Sequence, residues 1–314
     1  MHAAVLHEYG ATPVHEAFEE PVAGEGQAVV EVAVASVNPV DVRKASGAYL
    51  SGPPPLPSVV GTEGVGRTDD GRRVYFDAPI APFGAFAERV LVHAGGPLEL
   101  PDEIDDGVAA ALGIAGLAAW LPLAWRAQLR PGETVLVLGA TGVVGALAVQ
   151  AARLLGAGRV VAAGRDADML ARAGQLGADA TVDLRDLDGA DLTNAFRKAA
   201  AGDIDVVHDP LWGAPAAAAV EALGVGGRLV QLGQSAGAEA TLSSAAIRGR
   251  HLDVRGYLNF LVPADVRRAA YRTLIEHAAA GRIAIELERI PLARVADAWE
   301  RVQRSTHRKL LLVP

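Results

Sequence analysis

The stretch of sequence that decides the fold is ETVLVLGATGVVGALAVQ, residues 133–150. Residues 135–138 within it form a continuous apolar run with the length and β-branched character of a strand buried on both faces. Gly139 ends that run, and from Gly142 onward apolar residues recur at three- and four-residue spacing, as on one face of a helix. The stretch therefore predicts a buried strand, a tight turn and a helix.

Between this strand and helix the chain reads GATGVVG, with glycines at positions 139, 142 and 145. Glycine permits positive φ angles, and it lets a pyrophosphate approach the backbone where the N–H groups and dipole of a helix N-terminus favour an anion. A second predicted strand, residues 159–163, follows at the spacing of a dinucleotide-binding unit. A turn that merely requires glycine is the plainer alternative, but this context favours a dinucleotide site.

Composition limits the class of protein. A chain of 314 residues is long enough for about two domains. Its formal net charge is -8 and it has no run of Lys and Arg, so we expect no nucleic-acid interface. The absence of cysteine excludes disulfides, thiolate zinc sites and a cysteine nucleophile, and the eight histidines are scattered, so no metal site is expected.

Two segments bear on the expected location of the protein. The N-terminus, MHAAVLHEYG, lacks the basic and apolar regions of a secretory signal, which favours the cytoplasm. Residues 108–125 are uncharged and approach the length of a membrane span. Their glycines and Pro122 favour a buried helix between domains instead, so we expect no membrane association.

The character of the chain changes after Gly132. Earlier residues read mostly as strands separated by Pro and Gly, with one short helix that begins at Asn38-Pro39, where Asn38 would be the cap, and ends at Gly47. After Gly132 strands and helices alternate, as in a parallel sheet covered by helices. The six strands predicted there are residues 134–138, 159–163, 180–183, 205–209, 228–232 and 252–256.

Six short motifs follow one another along the whole chain. They are NPVD at 38–41, GTE at 61–63, GAFAE at 84–88, ATGVVG at 140–145, LGAD at 176–179 and KLLL at 309–312. Their order resembles the medium-chain dehydrogenase/reductase superfamily, and within it the zinc-independent quinone oxidoreductase group. The resemblance implies an α/β fold in which a Rossmann doubly wound parallel sheet, residues 119–262, is inserted in a β-rich, GroES-like catalytic domain formed by residues 1–118 and 263–314.

The departures from the zinc-containing branch indicate the type of reaction. Zinc-containing members carry a histidine where this chain has Thr62 and a cysteine near the position of Asn38. Without a Lewis acid, alcohol oxidation loses its usual means of stabilising an alkoxide, whereas an electron-poor C=C or C=O already polarises its own acceptor atom. We therefore expect a zinc-independent, NADPH-dependent reductase that transfers hydride to a small quinone, enone or other activated acceptor.

Two other functions share every motif named above. One is a dedicated enoyl reductase of a biosynthetic pathway, acting on a thioester or polyketide intermediate. The other is a nonenzymatic NADPH-binding or structural protein, because relatives use this fold in such roles. The resemblance also implies a homodimer, in which the edge strand 252–256 would pair with its copy.

The expected cofactor site lies at the ends of the predicted strands. Arg165 follows Gly164 at the point where an NAD-binding unit carries a carboxylate, and a guanidinium there suits the 2′-phosphate of NADPH. An ordinary exposed arginine is the alternative, and the adjacent Asp166 supports it. The residues predicted to bind the cofactor are Ala140, Thr141, Gly142, Val143, Val144, Gly164, Arg165, Leu232 and Gly233.

The predicted catalytic residues are Tyr49 and Asn38. Hydride transfer to an enone leaves an enolate, so the site needs a hydrogen-bond donor near its oxygen or a proton source. The resemblance places Asn38 near the nicotinamide and the acceptor, and a tyrosine at the spacing of Tyr49 resembles the proton donor of related enoyl reductases. A helix cap for Asn38 and loop packing for Tyr49 are the structural alternatives.

Several other polar residues have mainly structural interpretations. We expect Asp41 to hold its own helical turn and Glu63 to fix loops through hydrogen bonds. His208 is expected to be packed rather than catalytic. Arg308 and Lys309 lie where relatives touch the cofactor, but surface charge is the plainer interpretation for both.

Overall fold

A computed structural model describes residues 1–49, 52–304 and 306–314. The chain divides into two compact units, one formed by Met1–Ile114 with Tyr271–Pro314 and the other by Ala115–Ala270. The strands are β1 (His2–Leu6), β2 (Val14–Ala17), β3 (Gln27–Ser36), β4 (Ser58–Val59), β5 (Gly64–Thr68), β6 (Arg73–Phe76), β7 (Arg89–His93), β8 (Leu98–Glu99), β9 (Thr134–Leu138), β10 (Arg159–Gly164), β11 (Ala180–Asp183), β12 (Ile204–Asp209), β13 (Leu223–Gln231), β14 (Asp253–Gly256), β15 (Leu287–Pro291) and β16 (Lys309–Val313). The α-helices are α1 (Pro39–Ala45), α2 (Asp106–Ala111), α3 (Ile114–Leu121), α4 (Val143–Leu154), α5 (Ala167–Gln175), α6 (Gly189–Ala200), α7 (Gly213–Ala222), α8 (Ser244–Arg250), α9 (Ala264–Ala279) and α10 (Val295–Gln303).

The first unit is built from two sheets. The smaller has the order β2-β1-β4, and the larger runs β15-β16-β3-β5-β6-β8, with β7 also paired to β3. The strand β16, from the end of the chain, pairs antiparallel with β3 through Leu311↔Ser36 and Leu312↔Ala35. The C-terminal segment therefore completes the N-terminal sheet and brings the first residue of β16 to the end of β3.

A close backbone approach explains one glycine of this sheet. A Cβ atom at Gly66 would lie 2.1 Å from the backbone oxygen of Glu31, so no side chain fits where β5 meets β3. Apolar residues of β3, β16 and α10 join one core, which includes Val30, Leu312 and Trp299. This core fixes the end of β3, from which α1 begins.

The second unit contains a six-stranded parallel sheet with the order β11-β10-β9-β12-β13-β14. Residues 135–138 of β9 are completely buried, as the apolar run predicted. Strand order reverses between β9 and β12, so the carboxyl ends of these two strands form the switch point where such sheets bind ligands. The predicted combination of a doubly wound parallel sheet with a β-rich unit is confirmed.

The prediction of one helix across residues 108–125 was wrong. The chain forms α2, then α3, and then a π-helix at Pro122–Ala127. Pro122 has no N–H to continue the regular ladder of α3, and Gly113 separates α2 from α3. Strand β2 and helix α8 were not predicted, because both are short. Within the described part of the chain, no helix is long and apolar enough to cross a membrane.

Candidate functional site

The carboxyl edge of the parallel sheet gathers the residues predicted to bind the cofactor. The turn after β9 starts at Gly139, whose φ is 64°, and Ala140 N–H donates to the backbone oxygen of Ala163 in β10 at 2.9 Å. Gly142 is the N-cap of α4 and contributes no side-chain acceptor to the N–H groups of the first turn. A helix N-terminus of this kind, reached through a glycine turn, suits a pyrophosphate.

Two glycines of this edge leave no room for a side chain. A Cβ atom at Gly145 would lie 2.2 Å from the backbone oxygen of Gly139, and one at Gly164 would lie 2.3 Å from Thr141 Cγ2. Helix α4 therefore packs directly against the turn, and β10 ends directly beside Thr141. This close packing is the reason for glycine at both positions and keeps the turn compact.

Arg165 leaves the same edge and is exposed to solvent. Gly164 pairs with Asp183 of β11 in the parallel register. Arg185 follows Asp183 by two residues and therefore also lies at the carboxyl edge of the sheet. Arg185 is held by Asp183, with Nη2 2.5 Å from Oδ2. The neighbouring Asp166 accepts Met169 N–H at 2.9 Å and so caps α5, which gives this carboxylate a structural role. A 2′-phosphate role for Arg165 stays a prediction.

Leu232 and Gly233 follow β13 at the same edge. Leu232 N–H donates to the backbone oxygen of Asp209 at 2.9 Å, and a Cβ atom at Gly233 would lie 2.5 Å from the backbone oxygen of Pro210. Both residues therefore lie beside the end of β12, at the switch point of the sheet. All nine residues predicted to bind the cofactor lie at or directly after the carboxyl ends of β9, β10 and β13.

The end of β12 holds two buried titratable residues. His208 is fully buried with Nε2 2.9 Å from the backbone oxygen of Ala118, and burial lowers its pKa to about 4. Asp209 is also fully buried, and its Oδ1 accepts the N–H groups of Leu211 and Trp212, both at 2.9 Å. Burial raises the pKa of Asp209 to about 6, although these two bonds oppose the shift. Asp209 thereby supports Trp212, whose φ of 57° is unusual for a residue with a side chain.

In the first unit, Asn38 is the centre of a buried polar network. Its backbone N–H donates to Asp41 Oδ2 at 2.8 Å, so the carboxylate of Asp41 supports the start of α1. The amide nitrogen Nδ2 donates to Glu63 Oε1 at 2.8 Å and to the backbone oxygen of Ser36 at 3.1 Å. The amide oxygen Oδ1 accepts from Lys309 Nζ at 2.5 Å. Asn38 is also the N-cap residue of α1, while Glu63 and Lys309 engage the two ends of its side-chain amide.

One arm of this network leads from Asp41 to Tyr49. Thr62 Oγ1 donates to Asp41 Oδ1 at 2.6 Å and accepts from Lys44 Nζ at 3.2 Å. The same Nζ lies 5.9 Å from the ring centroid of Tyr49, within reach of a cation–π interaction. Burial raises the pKa of the Tyr49 hydroxyl, and the charge of Arg43 opposes this shift. The structure therefore brings Tyr49 to the network of Asn38 through Lys44.

The other arm centres on Glu63, which is completely buried. Its Oε2 accepts from Tyr75 OH at 2.8 Å and from Ile114 N–H, at the start of α3, at 2.7 Å. The ring of Tyr75 stacks on Tyr271 with centroids 4.3 Å apart. A Cβ atom at Gly113 would lie 2.1 Å from Glu63 Oε2, so this glycine is required by the carboxylate. The expectation that Glu63 fixes neighbouring segments through hydrogen bonds agrees with these contacts.

The interpretation of Lys309 as surface charge was wrong. Lys309 is only 4% exposed, whereas Arg308 is exposed. Its Nζ donates to the backbone oxygen of Val37 at 2.9 Å in addition to Asn38 Oδ1. Burial lowers the pKa of Lys309, and the charges of Glu63 and Asp41 oppose that shift. The pairing of β16 with β3 carries this lysine into the network, and no local pattern in the sequence reports that pairing.

Sequence reasoning also missed three members of the network, Lys44, Thr62 and Tyr75, as partners of the predicted residues. One sequence feature could have drawn attention to Lys44 and Lys309, because the chain has only three lysines, at 44, 198 and 309. Among the residues that the structure describes, no group of three or more His, Asp or Glu is placed to hold a metal ion. What the network supplies is a fixed set of hydrogen bonds around buried charges.

Comparison with known proteins assigns the family. The family model described as zinc-binding dehydrogenase matches residues 143–279. A solved quinone oxidoreductase from Thermus thermophilus, described together with its complex with NADPH, is 30% identical, with a TM-score of 0.85 and coverage of 100% of both chains. The chain belongs to the medium-chain dehydrogenase/reductase superfamily, in its quinone oxidoreductase-like group.

Two curated relatives of this chain are much longer or match only in part. One of the subunits of the phenolphthiocerol/phthiocerol polyketide synthase from Mycobacterium tuberculosis is 32% identical over 95% of this chain, which covers 14% of that protein. The quinone oxidoreductase of Homo sapiens is 31% identical over 46% of this chain and 47% of the relative. The matched part of the chain thus spans a small fraction of the first relative and about half of the second.

The buried Asp209 predicts a specific pH dependence of stability. Its pKa of about 6 lies well above the ordinary value of an aspartate, so the folded protein takes up a proton near pH 6 while the unfolded chain does not. The free energy of unfolding should therefore gain a contribution, about 3 kcal/mol at most, as the pH falls from 7 to 4. Asp209→Asn keeps an acceptor oxygen but removes this ionisation, so the melting temperature of the wild type should rise relative to that of the variant on acidification. The control is Asp203→Asn, at an exposed aspartate. The assignment is contradicted if the melting temperatures of the wild type and Asp209→Asn change in parallel with pH, or if Asp203→Asn differs from the wild type in the same way as Asp209→Asn.

Proposed function

We propose that this protein uses NADPH to transfer hydride to an electron-poor C=C or C=O acceptor such as a quinone or an enone. The observation that carries the proposal is the full-length similarity to the Thermus thermophilus quinone oxidoreductase, whose description includes a complex with NADPH. The glycine turn at the switch point of the sheet supports the nucleotide part of the proposal, because Gly145 lets the N-terminus of α4 pack directly against the turn, and a helix N-terminus in this position suits a pyrophosphate.

When bound, NADPH supplies the hydride. The chain would hold the pyrophosphate at the N-terminus of α4 and the 2′-phosphate at Arg165, while Leu232 and Gly233 contact the nucleotide from the end of β13. Tyr49 would donate its hydroxyl hydrogen to the oxygen of the acceptor as negative charge develops there. Asn38 would contact the reacting groups from the end of β3.

The direct test is to follow the nicotinamide absorbance with NADPH and two sets of acceptors. The first set contains simple quinones and enones, and the second contains enoyl thioesters. Turnover in either set supports the reductase, whereas NADPH binding without turnover in both sets contradicts it. A nonenzymatic protein would bind NADPH but reduce no acceptor of either set.

A dedicated enoyl reductase is the second candidate, and one observation favours it. The similarity to the polyketide synthase subunit extends over 95% of this chain at 32% identity, which is comparable to the 30% identity over the whole chain with the Thermus thermophilus quinone oxidoreductase. Both candidates use the same hydride and proton chemistry, so they differ only in the acceptor. A kcat/KM for enoyl thioesters at least about tenfold above that for quinones would favour the second candidate.

A homodimer formed through the edge strand β14 is part of the proposal. This strand ends the parallel sheet, and Val254 in it is 39% exposed. Pairing two copies of β14 would satisfy backbone groups that an edge leaves open. We expect light scattering at micromolar concentration to give twice the chain mass of 32.4 kDa. The mass of a single chain under these conditions would remove this part of the proposal.

Replacement of Arg165 tests cofactor preference. If its guanidinium binds the 2′-phosphate, Arg165→Ala should lower kcat/KM for NADPH by about 10–100-fold, because a charge-assisted hydrogen bond contributes about 1.5–3 kcal/mol. The value for NADH should stay unchanged, since NADH carries no 2′-phosphate. Arg248→Ala, which removes an exposed arginine of α8, is the control. Equal efficiency with both cofactors in the wild type and in Arg165→Ala would contradict this role.

Replacement of Tyr49 and Asn38 tests the catalytic assignment. Tyr49→Phe removes only the hydroxyl and should lower kcat/KM with the best acceptor by about 100-fold without changing NADPH affinity. Asn38→Ala should lower it as well, and should also reduce stability, because Lys309 and Glu63 each lose a partner. The control is Tyr9→Phe, whose hydroxyl donates to the backbone oxygen of Pro54. Wild-type kcat/KM and NADPH affinity in both variants would exclude both residues from the site.

A further inference from the structure

The distribution of lysine in this chain is unusual. Of its 29 lysine and arginine residues only three are lysines, Lys44, Lys198 and Lys309. Lys198 is exposed on α6, whereas Lys44 and Lys309 both belong to the network around Asn38. Arginine carries a wide planar fork, and lysine a compact ammonium group that fits a closed space. The chain therefore uses lysine where a compact buried cation is required.

Lys309 determines which way the amide of Asn38 faces. An ammonium group donates only, so the atom 2.5 Å from Lys309 Nζ has to be the acceptor Oδ1. The amide atom 2.8 Å from Glu63 Oε1 is then Nδ2, and it donates to a carboxyl group that also accepts from Tyr75 and Ile114. Ser36 takes the second Nδ2 hydrogen through its backbone oxygen. These contacts engage both hydrogens of Nδ2 and point Oδ1 toward Lys309, so the side chain of Asn38 has an acceptor oxygen in a fixed position and both of its donor hydrogens are used.

We propose that Lys309 is a positioning residue that fixes Asn38 as a hydrogen-bond acceptor and compensates the buried charge of Glu63. The proposal rests on the proposed reductase function, and it specifies how that site works. Asn38 then accepts an N–H or O–H group of the bound cofactor or acceptor. The donor for the developing oxyanion has to come from another residue, which is the role given to Tyr49.

The charge of Lys309 also controls the ionisation of Glu63. Burial raises the pKa of Glu63, and the charge of Lys309 is the largest opposing influence, ahead of the bonds from Ile114, Asn38 and Tyr75. Without this cation Glu63 takes up a proton at higher pH, and a protonated carboxyl group no longer specifies the amide orientation. The other charged or titratable groups that interact with this cluster are Asp41, Lys44, Tyr75, Asp77 and Tyr271.

The test compares Lys309→Met and Lys309→Gln with the wild type, and uses Lys198→Met as the matched control. Each protein is assayed with NADPH and the best acceptor across pH 5–9. We expect Lys309→Met to lower kcat by at least about tenfold, because misplaced site groups slow the reaction more than they weaken binding. We expect the apparent pKa on the acidic side of its kcat/KM profile to rise by about one pH unit. Lys309→Gln, which keeps a donor without a charge, should recover part of kcat but show the same pH shift, and Lys198→Met should match the wild type.

A second measurement needs no turnover. In Lys309→Met the pKa of Glu63 rises further above that of the unfolded chain, so the folded state binds this proton more tightly. The melting temperature of the variant should therefore rise relative to that of the wild type as the pH falls from 8 to 5. If Lys309→Met folds too poorly, Lys309→Met with Glu63→Gln removes both charges and should melt above the single variant at pH 8.

The outcomes separate this inference from the proposed function. The inference is overturned if both Lys309 variants keep the wild-type pH profile and kcat, or if the thermal curves of Lys309→Met and the wild type are parallel. It is also overturned if Lys198→Met causes the same changes. A wild-type protein that binds NADPH but reduces no acceptor contradicts the reductase instead, and the thermal comparison then still decides the coupling of Lys309 to Glu63.

Discussion

The first unit depends on the compensation of buried charge around Asn38. Two carboxylates, Asp41 and Glu63, lie in a space from which water is excluded, and each would be costly there without partners. Lys309 and Lys44 supply positive charge, and N–H or O–H groups engage all four carboxylate oxygens. Such a network is unfavourable when one member is missing, so it holds the end of β3 and the start of α1 in a single arrangement.

The second unit uses the opposite strategy. At the carboxyl edge of its sheet the polar groups belong to the backbone, and glycine occupies the positions where segments meet too closely for a side chain. A backbone edge of this kind binds a ligand through N–H groups whose positions the fold fixes, with little side-chain entropy to lose. The two units thus offer different kinds of recognition, one from buried charges and one from main-chain donors.

The sequence predicted those parts of the protein whose signals are local. The apolar run 135–138, the glycine spacing after it and the alternation beyond Gly132 are properties of short windows, and each appears in the structure where it was expected. The burial of Lys309 depends on the pairing of β16 with β3, which are distant in sequence, so no window reports it. The same limit applies to the side-chain contacts of Asn38, because its partners at 63 and 309 lie outside its own helix.

The pairing of β16 with β3 also has a consequence for the order in which the chain folds during synthesis. Lys309 and Val37 are separated by 272 positions, whereas the second unit is one continuous segment, Ala115–Ala270. On a ribosome that segment has all its strands before β16 has been made, while the end of β3 at Ala35 and Ser36 still lacks this partner. Until then β3 is paired only with β5 and β7, and Glu63 lies without the charge of Lys309, so the first unit completes its folding after the second.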